Sequence, residues 1–170
     1  TLVSKTLYAV ELCDCMDEAK QDAVIASIPK VDYERISERM YVEMVFVNHS
    51  ADKSAEDYVA LVNKAKALGR PLVLSCTDVA AAKAAAEALK GTDFILDGAD
   101  ASNYADMSAI ATEAKVLLGV RGTNLEELHA TVEKLEAAGN KNLILDVGTA
   151  SIKDAYAGAV EIRRAALKDG

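Results

Sequence analysis

Tryptophan is absent from this chain, and phenylalanine and proline occur only twice each in 170 residues. The core must therefore be built from aliphatic side chains, and few segments are interrupted by a ring that removes a backbone donor. Three cysteines in a chain of this length are too few for a disulfide framework and suit a reducing compartment. No uncharged apolar run approaches the roughly 20 residues that a membrane span needs. Nor do the first residues show the basic segment and apolar stretch of a signal peptide. A cytoplasmic protein that does not enter the membrane is the expectation. Positive charge is also in deficit, with 19 Lys and Arg against 27 Asp and Glu, a net charge of −8. Such a surface repels phosphate backbones, and no run of Lys or Arg is interleaved with aromatics, so nucleic acid is excluded as a partner.

What the chain does contain is one unit repeated six times: a short aliphatic run, a polar corner and an amphipathic stretch. The apolar runs are 7–12, 41–47, 71–74, 94–96, 116–120 and 143–145. They end in Cys13-Asp14-Cys15, Asn48-His49-Ser50, Ser75-Cys76-Thr77-Asp78, Asp97-Gly98, Arg121-Gly122-Thr123 and Asp146-Val147-Gly148-Thr149. Strict alternation of strand and helix specifies a parallel sheet with helices outside it. The fold class is α/β, a partial (β/α)8 TIM barrel of about six consecutive parallel βα units. The whole of 1–170 reads as one incomplete barrel domain, since no linker rich in Gly, Ser or Pro interrupts it. An open doubly wound sheet is the other architecture of this alternation. Its nucleotide-binding form needs a glycine-rich first corner, and Cys13-Asp14-Cys15-Met16-Asp17 has no glycine.

Helix boundaries are marked locally. Ser54-Ala-Glu-Asp57 and Asn124-Leu-Glu-Glu127 place a capping oxygen before a helix and a carboxylate three residues on. Asp17, Asp78, Ser102 and Ser151 can cap the remaining helices. Gly69, Gly91 and Gly139 follow helical patterns and precede strands, as helix stops do. Tyr58, Leu61, Val62, Ala65 and Leu68 fall on one helical face, as do Leu125, Leu128, Val132 and Leu135. The first connection is the longest, with Pro29 and the polar stretch 30–39 before the second strand.

In a barrel, function sits at the C-terminal ends of the strands. Asn48, His49, Ser75, Cys76, Thr77, Asp97, Arg121 and Asp146 are thus the candidates to face a ligand. His49 is the titratable group best suited to acid–base work; its plain alternative is a hydrogen-bonded surface residue. Arg121 beside glycines can clamp a carboxylate or phosphate, or pair with Asp97 or Asp146. Cys13 and Cys15 stand too close in sequence for a zinc or iron–sulfur ligand pair, so they read as buried or half-buried thiols. No catalytic set and no metal site is expected in these residues.

Five segments in order carry a family resemblance: Phe46-Val-Asn-His-Ser-Ala-Asp52, Pro71-Leu-Val-Leu-Ser-Cys-Thr-Asp78, Asn124-Leu-Glu-Glu-Leu128, Asn142-Leu-Ile-Leu-Asp-Val-Gly-Thr149 and Ile162-Arg-Arg-Ala-Ala-Leu-Lys168. Together they resemble the large, or gamma, subunit of the corrinoid iron–sulfur protein of the acetyl-CoA decarbonylase/synthase (CO dehydrogenase/acetyl-CoA synthase) complex. The likeness runs from about Thr6 to Lys168 and falls on that subunit's central barrel. Val147 stands where the family usually has Pro, and Asp97-Gly98 where it has an aromatic and small residues. The resemblance implies a methyl-carrier subunit that passes a methyl group from a methylated pterin to acetyl-CoA synthase. It implies corrinoid (cobalamin) and a [4Fe-4S] cluster for the full subunit, with neither bound by this segment. It implies as partners a small (delta) corrinoid protein subunit and the acetyl-CoA synthase and CO dehydrogenase subunits. On this reading the segment is scaffold. The alternatives are a free-standing barrel methyltransferase or lyase acting on a small anionic or pterin ligand, and an open-sheet binding module without chemistry.

Overall fold

Strand and helix alternate as the corners predict. The computed structural model describes residues 7–148 and 151–168. In chain order the elements are β1 (Ala9–Cys13), α1 (Glu18–Ser27), β2 (Asp32–Arg35), β3 (Glu38–Tyr41), β4 (Met44–Asn48), α2 (Ala55–Lys66), β5 (Leu72–Ser75), α3 (Val79–Ala88), β6 (Phe94–Ala99), α4 (Tyr104–Ala114), β7 (Leu117–Gly122), α5 (Leu125–Ala137), β8 (Leu143–Val147) and α6 (Ile152–Lys168). Six strands form a parallel sheet in the order β1-β4-β5-β6-β7-β8. Sequential strands as parallel neighbours, each joined by a helix, are the (β/α) barrel arrangement. The chain divides into two compact units, Thr1–Asp97 and Gly98–Gly170. No described helix is long and apolar enough to cross a membrane.

In the first unit, Leu12, Val47, Leu74 and Leu96 are register partners across four strands, and each is fully buried. Side chains alternate faces along a strand. The next row, Cys13, Asn48, Ser75 and Asp97, therefore points to the other face. The buried face is covered by α2, whose Tyr58, Leu61, Val62 and Ala65 form the expected stripe, and by α3. The α3 side of this packing is made of Ala81, Ala82, Ala85 and Ala86. Small side chains let that helix approach closely, which is how a chain short of large aromatics still packs densely. The Tyr58 hydroxyl donates to the Val47 carbonyl at 3.0 Å, so its polar end is satisfied inside the core.

In the second unit β7 and β8 pair from Leu118↔Leu143 to Gly122↔Val147. Leu118 and Val120 are buried, and α5 contributes Leu128, Thr131 and Leu135. Gly122 sits where β7 turns into α5. A Cβ there would lie 2.8 Å from the Leu128 Cβ and backbone N and 2.9 Å from the Asn124 carbonyl O. Only glycine fits, because two of those neighbours are backbone.

The caps predicted at Asp17, Ser54, Asp78, Asn124 and Ser151 all form, each side-chain oxygen accepting the amide three residues on. Gly139 takes the expected left-handed backbone at φ +91°. Ser102 does not cap α4. Asn103 occupies the N-cap, and Ser102 instead donates its amide and hydroxyl to Asp100. The reason is that β6 runs on to Ala99, three residues past its expected end, which moves the corner to Asp100–Asn103. In the first connection a single turn of 3₁₀ helix (Ile28–Lys30) precedes the antiparallel β2–β3 hairpin, which takes up the polar stretch and places Tyr41 in β3 rather than in the next barrel strand. Its turn, Ile36-Ser37, has both residues at positive φ but no Asn or Gly to announce it. Thr149, the last residue of the sixth corner, lies outside the described residues.

Replacing Gly122 with Ala is expected to destabilise the protein by about 2 kcal/mol or more, since overpacking against backbone cannot relax by rotamer changes. Urea unfolding of the variant beside the wild type measures this; an unchanged midpoint would mean that the β7–α5 corner opens freely.

Candidate functional site

The first unit gathers most of the sequence candidates where the theory of the fold places them. Asn48, Ser75 and Asp97 stand in one cross-strand row, with His49 and Cys76 one residue further along their chains. Asp97 lies within β6 rather than at its tip, because that strand is longer than expected. Thr77 is exposed. Asn48 reaches the Glu11 carboxylate only at 3.5 Å.

The organising group is one the sequence reading passed over. Asp14 follows β1 directly, and its side chain is 1% exposed. One carboxylate oxygen lies 2.6 Å from His49 Nδ1, and the other accepts the Ser50 amide at 2.8 Å. A carboxylate only accepts, so Nδ1 carries a proton toward Asp14 and Nε2 lies on the far side of the ring. The His49 ring packs on Tyr58, with centroids 4.7 Å apart at an interplanar angle of 41°. Its side chain is 6% exposed. Asp14 thus ties the corner after β1 to the corner after β4 and fixes the orientation of a buried imidazole. No local motif announces this contact, because only the parallel pairing of β1 with β4 brings the two corners together.

Cys76 is a buried free thiol that donates to the Asp78 carbonyl at 3.2 Å. Burial pushes it up to about 11, and the nearby Asp78 and Asp14 charges add to that. Burial likewise raises the Tyr58 hydroxyl far above its ordinary value. Neither group ionises near neutrality. Cys13 and Cys15, expected as thiols, are joined in a disulfide. The turn after β1, closed by the Met16 amide on the Cys13 carbonyl, brings their Cα atoms to 5.1 Å, within bonding range. No group of three or more potential metal ligands occurs among the described residues.

In the second unit Arg121 and Asp146, register partners on β7 and β8, form an ion pair at 3.0 Å, with both side chains nearly half exposed. Thr123 donates its amide (2.9 Å) and its hydroxyl to Glu127, which holds that carboxyl below its usual value. Asp100 is half-buried, and burial alone would raise its carboxyl. Its bonds from Ser102 and Asn103 outweigh that and lower it. Asp100, Ser102, Arg121, Thr123 and Glu127 line an open cleft of about 430 Å³. Its two carboxylates are held by neutral amide and hydroxyl donors and its one cation is paired with Asp146 beside it, which makes it a structured polar corner rather than an anion clamp.

The whole chain, residues 1–170, matches the family described as CO dehydrogenase/acetyl-CoA synthase delta subunit. It is 30% identical over 164 residues to the corrinoid/iron-sulfur protein large subunit of Moorella thermoacetica, covering 96% of this chain and 37% of that protein. To the acetyl-CoA decarbonylase/synthase complex subunit gamma 1 of Methanosarcina thermophila it is 27% identical, over 98% of this chain and 36% of the relative. The chain therefore spans little more than a third of the length of these relatives. Among solved structures, dihydropteroate synthase from Thermus thermophilus matches with a TM-score of 0.62 at 14% identity, covering 85% of this chain and 59% of that one. At that identity the likeness shows the fold alone, and that fold is a TIM barrel.

Two outcomes are expected of this site. Asp14→Asn keeps an oxygen for the Ser50 amide but presents an NH₂ group to Nδ1, which must then become an acceptor. The His49 proton should move to Nε2, read by ¹⁵N NMR, with a stability loss of about 2 kcal/mol; an unmoved proton would show that Asp14 does not set the ring. For Cys76, a folded-state value raised to about 11 means that the unfolded chain ionises first as pH rises. Its contribution is fully present below the unfolded value and is lost as pH climbs through about 11. Stability should fall between roughly pH 9 and 11, and Cys76→Ala should flatten that part of the curve.

Proposed function

The chain belongs to the CO dehydrogenase/acetyl-CoA synthase delta subunit family, and from that premise we propose that it is the barrel scaffold of a corrinoid iron–sulfur methyl-carrier subunit of the large, or gamma, type. The full subunit would pass a methyl group from a methylated pterin to acetyl-CoA synthase within a cytoplasmic complex. Its neighbours would be the small (delta) corrinoid protein subunit and the acetyl-CoA synthase and CO dehydrogenase subunits. The present sequence would be one incomplete barrel domain, with the iron–sulfur and corrinoid modules outside it.

The observation that carries this reading is how the strand-end groups are used. Asp14 is engaged by His49 and Ser50, Arg121 by Asp146, and Glu127 by Thr123. These are the contacts of a rigid platform. No hydroxyl or thiol is bonded to His49 among the described residues, and the buried Cys76 thiol is held protonated.

The residues here do not fit the cofactors of the relatives. A [4Fe-4S] cluster takes four thiolates, and this chain has three cysteines, two of them joined to each other. The described strand-end cleft of the second unit is open and near the small end of ligand-sized cavities, which does not enclose a corrin macrocycle. Methyl-carrying chemistry is the corrinoid's own; this segment's share is to hold position and register.

One observation favours a second reading, the free-standing methyltransferase or lyase. His49 Nε2 has no partner among the described residues, and the ring is already oriented. Yet Asp14, Asp52 and Asp97 all act on the His49–Tyr58 pair, a poor setting for an anionic ligand.

The test is to measure methyl transfer per bound corrinoid in the intact complex carrying His49→Gln or Arg121→Gln. The scaffold reading expects rates within about twofold of wild type, whatever is lost in stability. A drop of about a hundredfold or more, the scale of a lost acid–base group, would move the chemistry into this barrel.

A further inference from the structure

The corner after β1 carries a covalent bond that adds little mechanically. A disulfide stabilises a chain mainly by closing a loop, and the gain grows with loop length. Cys13 and Cys15 are only two positions apart, so their bond closes almost no chain. The turn is also shut without it. The Met16 amide donates to the Cys13 carbonyl at 3.1 Å, and the Asp14 amide reaches the Asn48 carbonyl at 3.3 Å. Gln21 donates its side-chain amide to the Cys13 and Met16 carbonyls at 3.4 and 3.1 Å. Between the two cysteines, Asp14 is anchored by His49 and Ser50. When the S–S bond opens, these contacts keep the two sulfurs neighbours, ready to close again.

The two halves of the bond are unequal. Cys13 is 4% exposed, whereas Cys15 faces solvent. Access selects which sulfur an external thiolate attacks, and here only Cys15 is open to it. Cys13 is then the leaving group. Its departing charge is met by the Cys15 amide, which donates to Cys13 Sγ at 3.2 Å. The neighbouring carboxylate does not let that charge persist, so Cys13 takes up a proton. Its thiol can then donate to Asp14 Oδ1, 3.8 Å away. That oxygen also accepts the Ser50 amide, so the state of the pair is felt at the corner after β4.

We propose that Cys13–Cys15 is a thiol–disulfide exchange site, entered at Cys15 by a low-molecular-weight thiol. The entering thiolate bonds to Cys15 Sγ, the Cys13–Cys15 bond breaks, and Cys13 takes the proton that the entering thiol gave up. A second thiol attacks the entered sulfur and leaves with it as the oxidised disulfide, releasing Cys15 as a thiol. Two electrons pass from the two thiols to the pair, and the oxidised disulfide reverses each step. The thiols that the composition suggests and the bond in the structure are thus two states of one pair. Cys76 takes no part, being buried and bonded to the Asp78 carbonyl. The site goes beyond the scaffold role and does not depend on it.

The experiment incubates the full-length subunit anaerobically with reduced glutathione or with glutathione disulfide. Aliquots are quenched in acid and unfolded, and their free thiols are labelled with N-ethylmaleimide and mapped by mass spectrometry. Cleavage after Lys5 and Lys20 puts both cysteines on one peptide, 6–20, and Cys76 on another. Reduced glutathione should open the bond, so that peptide 6–20 takes two labels, and glutathione disulfide should close it. In the same buffer without glutathione, native labelling of the buried Cys76 times the opening of the fold. Reduction of the pair should run at least about tenfold faster than that labelling. Glutathione disulfide should also add to Cys15 in Cys13→Ser at least about tenfold faster than to Cys13 in Cys15→Ser. Three results would overturn the proposal. A pair that stays reduced in glutathione disulfide is two plain thiols. A bond that opens no faster than Cys76 is labelled is a staple released by unfolding. Adducts that form faster at Cys13 put the entry at the wrong sulfur.

Discussion

One continuous register across β1, β4, β5 and β6 governs the first unit. Leu12, Val47, Leu74 and Leu96 share a row and are sealed from water. The alternation of strand side chains then obliges Cys13, Asn48, Ser75 and Asp97 to share the next row on the opposite face. A slip of one residue would drive those polar groups under α2 and α3 and turn four aliphatic side chains outward. Core packing and the composition of the strand-end row are thus a single constraint seen from two sides.

The buried carboxylate of Asp14 completes that arrangement. A charge out of water is costly unless donors surround it, and here His49 and the Ser50 amide supply them from the adjacent corner. Two loops that would otherwise move independently are therefore coupled. The same logic recurs in the second unit, where Arg121 and Asp146 bridge β7 and β8 at the surface. That exposed pair adds little to stability in solvent. The strand ends of both units carry many polar groups whose first partners are each other, which is the physical content of calling the segment a scaffold.

Much of this was legible in the residues. The alternation of short aliphatic runs with amphipathic stretches gave six strands and their helices, and five capping residues fell where their oxygens were needed. Ordered motifs pointed to the family that the whole chain matches. Four things were not legible. The hairpin was hidden because Ile36-Ser37 carries none of the usual turn chemistry. The C-terminal end of β6 and the cap of α4 were misplaced because Asp97-Gly98 reads as a corner, while pairing with β5 continues through Asp97. The Asp14–His49 contact joins residues 35 apart, and only the parallel pairing of β1 with β4 makes them neighbours. The Cys13–Cys15 bond likewise depends on the tight turn rather than on any spacing rule.

The proposal is that this platform, with its fixed register and its strand-end groups engaged with one another, works as the scaffold of a larger assembly. The most direct test of that claim is the visible absorption spectrum of the complex isolated natively through this chain. Corrinoid bands, together with a second barrel-sized subunit in the same preparation, are the predicted result. A freshly isolated, intact assembly without corrinoid would contradict the account and return attention to His49 as the centre of an enzyme site.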